Sequence, residues 1–171
     1  MKAVDEGEYR QFAGARMEQL RRTAFLLCRD WHQADDLVAI TLGKLYRNWG
    51  RARRADNVEA YVRGILMNAF LDERRRPWRR EEPAEQLPEA AGPQDIDTVD
   101  TRADLLALLD KLGPGRRAVV VLRFYCDLSV QDTAAILNIS EGAVKSQAAR
   151  GLHTLRLLAD PDPATDRRES R

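Results

Sequence analysis

Apolar positions recur along this chain at helical spacing. Over residues 5 to 29, Tyr9, Phe12, Leu20, Ala24 and Leu27 fall near one side of a helix. The segment HQADDLVAITLGKLYRNWG follows, where Leu37, Thr41, Leu45 and Trp49 mark a stripe that Val38, Leu42 and Tyr46 broaden, predicting a well-buried helix. Asp35 and Asp36 are placed in its first turn, where the helix dipole favours carboxylates, and Arg47 in its last. After the basic loop RARRADN, a third helix is predicted from about Val58 to Arg76. Its inner stripe is Val58, Tyr61, Val62, Ile65, Leu66 and Ala69, which leaves Arg63, Asn68, Asp72 and Arg75 to face elsewhere. Pro77 ends it.

The periodicity then stops. PWRREEPAEQLPEAAGPQDIDTVD combines four prolines, many carboxylates and almost no apolar repeat, as a linker does. A new helix is expected from Thr101, capped by that residue with Asp104 at its third position, and striped by Leu105, Leu108, Leu109 and Leu112. Pro114 opens the next, whose AVVVLRFY run is the most apolar in the chain and belongs in a core.

SVQDTAAILNISEGAVKSQAARG, residues 129 to 151, predicts two short helices set at an angle. Ser129 caps the first, with Asp132 placed to complete a capping box, Val130, Ala134 and Leu137 form its stripe, and Asn138 tolerates the left-handed stop. Ser140 caps the second, whose stripe is Val144, Ala148, Leu152 and Leu155, with Gly151 allowing close approach on its edge. Two helices joined by about three residues make a helix-turn-helix candidate. At ~100° per residue, the face opposite the stripe carries Ser146, Ala149, Arg150 and His153, flanked by Lys145 and Gln147. Such a face suits a DNA major groove: Arg and Lys bond guanine edges, Gln and Ser bond bases or phosphates, and Ala permits close approach. A solvated face in an ordinary helical bundle has the same pattern.

Charge distribution sharpens the picture where composition does not. The chain has 171 residues and a net charge of +1. Residues 51 to 80 are strongly basic, residues 81 to 110 strongly acidic, and residues 111 to 160 basic again. Two basic bodies flanking an acidic connector suit a protein that touches nucleic acid at two places, because Lys and Arg gain affinity by releasing phosphate counterions. Cys28 and Cys126 are far apart, without CxxC spacing, and read as small buried thiols; His32 and His153 are isolated. No nucleophile, base and orienter set is present, nor a phosphate-cradling glycine loop or a metal-ligand cluster, so no enzyme activity, cofactor or metal is expected. No apolar run approaches the roughly 20 residues that span a bilayer, and the first ten residues are not signal-like, which predicts a cytoplasmic protein without a membrane partner.

The fold expected is all-α. Two small helical domains, residues 1–77 and 101–159, are joined by an acidic, proline-containing linker at 78–100 and followed by a disordered tail at 160–171.

This layout resembles the extracytoplasmic-function (ECF) sigma factors of bacterial RNA polymerase, in their actinobacterial form. The residues that carry the likeness are DDLVAITLGKLYRNW, AYVRGILMNAFLDERRR and LDKLGPGRRAVVVLRFYCDLSVQDTAAILNISEGAVKSQAARGLHTLR, which occur in the family's order over roughly residues 5 to 158. The resemblance implies a first domain that recognises the minus-10 promoter element and grips the polymerase clamp. It implies a second that recognises the minus-35 element and sits on the polymerase flap, and a linker that threads the RNA exit path. It implies minus-10 contacts by Asn68, Arg63 and the loop Arg51, Arg53, Arg54 and Asp56, and minus-35 contacts by Lys145, Ser146, Gln147, Ala149 and Arg150, with Arg116 and Arg117 on phosphates. Asp35, Asp36, Leu37, Lys44 and Arg47 are implied for the clamp. The expected partners are core RNA polymerase and promoter DNA, with room for an anti-sigma factor. Two departures stand out: the family usually has glutamine and an acidic or small polar residue where this chain has Ala39 and Ile40, and Gly113 takes the place of a proline or polar residue. A stand-alone helix-turn-helix regulator is the alternative.

Overall fold

The computed structural model describes residues 3–75 and 101–159. The expected linker and tail lie outside the described residues, as do the side chains of Thr101 and Asp104, expected to cap a helix. Every element described is helical: α1 Ala3–Cys28, α2 Trp31–Arg47, α3 Trp49–Ala52, α4 Val58–Arg75, α5 Thr101–Asp110, α6 Pro114–Val120, a π-helical turn Val121–Tyr125, α7 Val130–Leu137 and α8 Glu141–Ala159.

In the first half, α1 lies along α2, and α4 packs on α2. α2 begins one turn earlier than its apolar stripe suggests, because the Asp30 carboxylate accepts from the Gln33 amide at 3.0 Å. Asp35 and Asp36 are therefore in the second turn, not the first. Asp35 instead accepts from the Arg21 guanidinium at 2.6 Å, which holds its carboxyl below the usual carboxylate range. The expected single helix over Trp49 is broken at Asn48, and Trp49 starts the short α3. Trp49 stays buried between Tyr9 and Phe12, with Tyr9 edge-on to both Trp49 and Tyr46 and its hydroxyl donating to the Leu42 carbonyl at 2.9 Å.

The second half is built on α8, against which α5, α6 and α7 all pack. α6 does not run through to Tyr125. It widens into the π turn, where the Cys126 amide reaches back five residues to the Val121 carbonyl at 3.0 Å. The serine caps of the next two helices form, while the Asp132 carboxylate makes no return bond to complete a capping box. The Ser129 hydroxyl accepts from the Asp132 amide, the Ser140 hydroxyl accepts from the Ala143 amide, both at 3.0 Å, and Asn138 is left-handed with φ 54°. Val144, Ala148, Gly151 and Leu155 are buried, with Leu152 half-buried.

The two halves share a core, which the helical periodicities do not reveal. Ala118, Val121, Leu122 and Ile136 of the second half join one apolar cluster with Leu20, Ala24, Leu66 and Phe70 of the first. α7 and α6 lie on α4, and α5 lies on the end of α1.

Candidate nucleic-acid interface

α8 presents its chemistry because its other side is anchored. Val144 and Ala148 pack with Val119 and Ala134, and Leu155 with Leu109 and Val120. The opposite face then carries Lys145, Ser146, Ala149, Arg150 and His153, all exposed. Gln147 is half-buried on the flank, and its side-chain oxygen accepts from Arg116 Nε at 3.1 Å. Arg116 therefore steadies a residue of this face from the neighbouring helix.

Arg117 does not belong to this surface. The residue is 4% exposed, and its guanidinium is shared among four carbonyls: Leu109 at 2.9 Å, Leu112 at 2.8 Å, Asp110 at 3.2 Å, and Leu27 of the first half at 2.6 Å. Burial pulls its pKa below the usual arginine range, Arg74 adds repulsion, and Asp110 opposes both. The phosphate contact expected of Arg117 is corrected on that ground: all its nitrogens are committed to backbone carbonyls.

On α4, Asn68 is exposed between the buried Met67 and Ala69. Arg63 is half-buried and lies close enough to Cys126 to act on its thiol. Arg51, Arg53, Arg54 and Asp56 are all exposed at the corner before α4. Two of these arginines have local roles: Arg53 pairs with Asp5 and with Glu8, the latter at 3.0 Å, and Arg54 donates to the Gly50 carbonyl at 2.7 Å. The corner and Asn68 thus belong to one half, and the α8 face to the other.

The residues expected at the clamp are less uniform. Asp36 and Arg47 are exposed and Lys44 is half-buried, but Leu37 is a core residue, 3% exposed, and Asp35 is paired with Arg21. Beside them runs a groove of about 340 Å³ between α2 and α4, with Leu37 and Phe70 at its base and Gln33, Asp36, Ile40, Glu73 and Arg74 around it. Ala39 and Ile40, the two departures from the family pattern, line it. Glu73 and Arg74 were not expected here, because periodicity along α4 cannot report what α2 brings beside it.

Among the described residues no group of three or more His, Cys, Asp or Glu side chains could hold a metal ion. No helix among them is long and apolar enough to cross a membrane.

Comparison with known proteins agrees with this arrangement. The family model of sigma-70 region 2 matches residues 14–80, and that of sigma-70 region 4 matches residues 102–155. The RNA polymerase sigma-E factor of Streptomyces coelicolor is 34% identical over 96% of this chain and 94% of its own length. The ECF RNA polymerase sigma factor SigM of Mycobacterium tuberculosis is 31% identical over 86% of this chain and 75% of its own. Among solved structures, the sigma factor RpoE of Bartonella quintana, in complex with the anti-sigma factor NepR, superposes with a TM-score of 0.71 at 25% identity, over 88% of this chain and 96% of that one. A stand-alone regulator would account for the helix-turn-helix alone; here both sigma regions occur in one chain and in the family's order. The chain belongs to the ECF sigma factors, the subunits that give bacterial RNA polymerase its choice of promoter.

Proposed function

We propose that this sigma factor reads its promoters with two separate surfaces: the exposed face of α8 in the major groove of the minus-35 element, and Asn68 with the Arg51 to Asp56 corner at the minus-10 element. The observation that carries the reading is the division of α8, whose small, polar and cationic residues are exposed while its apolar stripe is buried. Lys145, Ser146, Gln147, Ala149 and Arg150 are the base-facing set. Arg116, on the flank, serves phosphate and orients Gln147. Asn68 offers an amide that pairs with a base edge through both donor and acceptor, and Arg63, on the same helix, is the second minus-10 contact. The α2 side, with Asp36, Lys44 and Arg47 around the apolar groove, meets the polymerase clamp, and Ala39 with Ile40 makes that contact more apolar than the family's usual pair. The second half sits on the flap. The protein works in the cytoplasm, has no chemistry of its own, and is a target for an anti-sigma factor, as the likeness to the complexed RpoE suggests.

The deciding experiment is co-purification with core polymerase followed by run-off transcription from promoters carrying single-base changes. Loss of a bidentate base contact in Arg150→Ala costs about 1 to 3 kcal/mol and relaxes preference at one minus-35 position. Arg116→Ala weakens all sequences alike and lowers the salt slope by about one unit. An identical, sequence-independent loss in both variants would leave only a basic DNA-contacting face.

A further inference from the structure

We propose that Arg117 is the latch of a closed state of this protein, and that its bond to the Leu27 carbonyl breaks when the two DNA-reading surfaces part. The second clause rests on the function proposed above; the first rests on geometry alone.

Three of the four acceptors of Arg117 come from its own half. Leu109, Asp110 and Leu112 are at the C-terminal end of α5 and just beyond it, where helix carbonyls lack partners and the dipole favours a cation. They fix the guanidinium plane and leave Nη1 pointing out of that half. What it meets is the same kind of group on the other half: Leu27 is in the last turn of α1, and its carbonyl accepts from Nη1 at 2.6 Å. One buried cation therefore joins the negative ends of two helices that belong to different halves.

The surroundings show what is at stake in opening. Above the latch, Ala118, Val121, Leu122 and Ile136 are buried against the first half. At its outer edge Arg29 Nη1 pairs with Asp110 Oδ2 at 3.3 Å, again across the two halves. Cys126 lies on the same seam, beside Thr23 of α1 and Arg63 of α4. Parting the halves would leave Arg117 Nη1 and the Leu27 carbonyl to water and would free Arg63, one of the residues proposed to face the minus-10 element. Residues 76–100 join the halves, and 25 residues of chain extend to roughly 80 Å at full stretch, so connectivity does not prevent opening.

Cys126 supplies the measurement. The rate at which a small alkylating reagent modifies it in the full chain, read by peptide mass spectrometry so that Cys28 is counted separately, reports how often the seam opens. In the parent chain labelling is expected to be far slower than in the urea-unfolded chain. In Arg117→Met, helical by circular dichroism, it is expected to be about tenfold faster or more. Labelling at the parent rate in that folded variant overturns the latch. Should Arg117→Met lose its helices, Arg117→Lys decides, since lysine keeps the charge and part of the carbonyl bonding; faster labelling supports the latch, and the parent rate overturns it. If both variants unfold, Arg117 is a core residue of its own half and the latch is overturned.

None of this requires DNA or polymerase, so its failure would leave the promoter reading intact. A second arm adds core polymerase. If the chain co-elutes with polymerase and Cys126 becomes reactive, opening accompanies assembly. Co-elution with Cys126 still protected overturns the release step, whereas no co-elution contradicts the proposed function instead.

Discussion

Gly151 shows how much a single position decides in this protein. A Cβ built there would stand 2.6 Å from Val120 Cγ2 and 3.3 Å from Arg116 Cγ. Val120 is buried and branched, so it cannot swing away. Gly151→Ala gains about 1 kcal/mol of helix propensity but must push α8 from α6, and overpacking of this kind costs about 1 to 3 kcal/mol. A net loss of stability is expected in thermal unfolding, together with displacement of the Arg116 and Gln147 pair. The helix caps are a second measurable set. Ser129→Ala and Ser140→Ala each leave one amide of a helix start unbonded and are expected to cost about 0.5 to 2 kcal/mol by urea unfolding. Serine caps announce themselves in the sequence because the bonding is local. Arg117 could not, since its bonds reach residues up to 90 positions away, and a lone Arg at a helix start looks like a surface cation.

At the scale of elements, α7 carries more than its stripe implies. Its periodic positions Val130, Ala134 and Leu137 match a helix buried on one side, and Ala134 does pack against Val119, Val144 and Ala148. Ile136 and Thr133 are nevertheless buried as well, Ile136 against the first half. A short helix with two buried faces reads in sequence as one stripe plus unexplained apolar residues. Its end is set by Asn138, whose left-handed backbone any β-carbon disfavours but which asparagine tolerates. Asn138→Ala is expected to destabilise by about 1 kcal/mol while Asn138→Gly is neutral or better, and the contrast in chemical unfolding midpoints checks it. If alanine and glycine behaved alike, the side chain rather than the backbone would be setting the angle between α7 and α8. The π turn at Val121–Tyr125 has no comparable signal. It is accommodated by packing, which turns Val121 and Leu122 inward while Phe124 and Tyr125 stay exposed.

For the molecule as a whole, the seam between halves makes stability depend on pH in a definite direction. Burial raises the Cys126 thiol, and the nearby Arg63 and Thr23 only partly offset it. The folded chain therefore keeps this proton when the unfolded chain, with an ordinary thiol value of about 8.5, has lost it. Stability from this group is intact below that value and falls as pH rises above it. Parent protein is expected to lose stability more steeply than Cys126→Ser as pH rises above about 8.5, measured by urea unfolding at each pH. Equal slopes in the two proteins would mean that Cys126 ionises as freely in the folded chain as in the unfolded one. The groove beside Ala39 and Ile40 is also a whole-molecule feature, because α2 supplies Gln33 and Ile40 while α4 supplies Glu73 and Arg74.

What the sequence determined by itself was whatever depends on near neighbours along the chain. The helical stripes, the serine caps at 129 and 140, the asparagine stop, the polar face of α8 and the family's three blocks are all local in that sense, since bonds between residues three or four apart leave a period that can be read. Tertiary structure alone decided that α7 is buried on two sides, where a helix with a continuous stripe breaks at Asn48, and which cations are surface and which are not. Arg116 and Arg117 are adjacent and chemically identical, yet one steadies the exposed polar face of α8 and the other is enclosed by four carbonyls from two halves of the chain. The reason is that a buried charge is tolerated only where several acceptors converge, and convergence of residues 27, 109, 110 and 112 is a property of packing that no stretch of sequence contains.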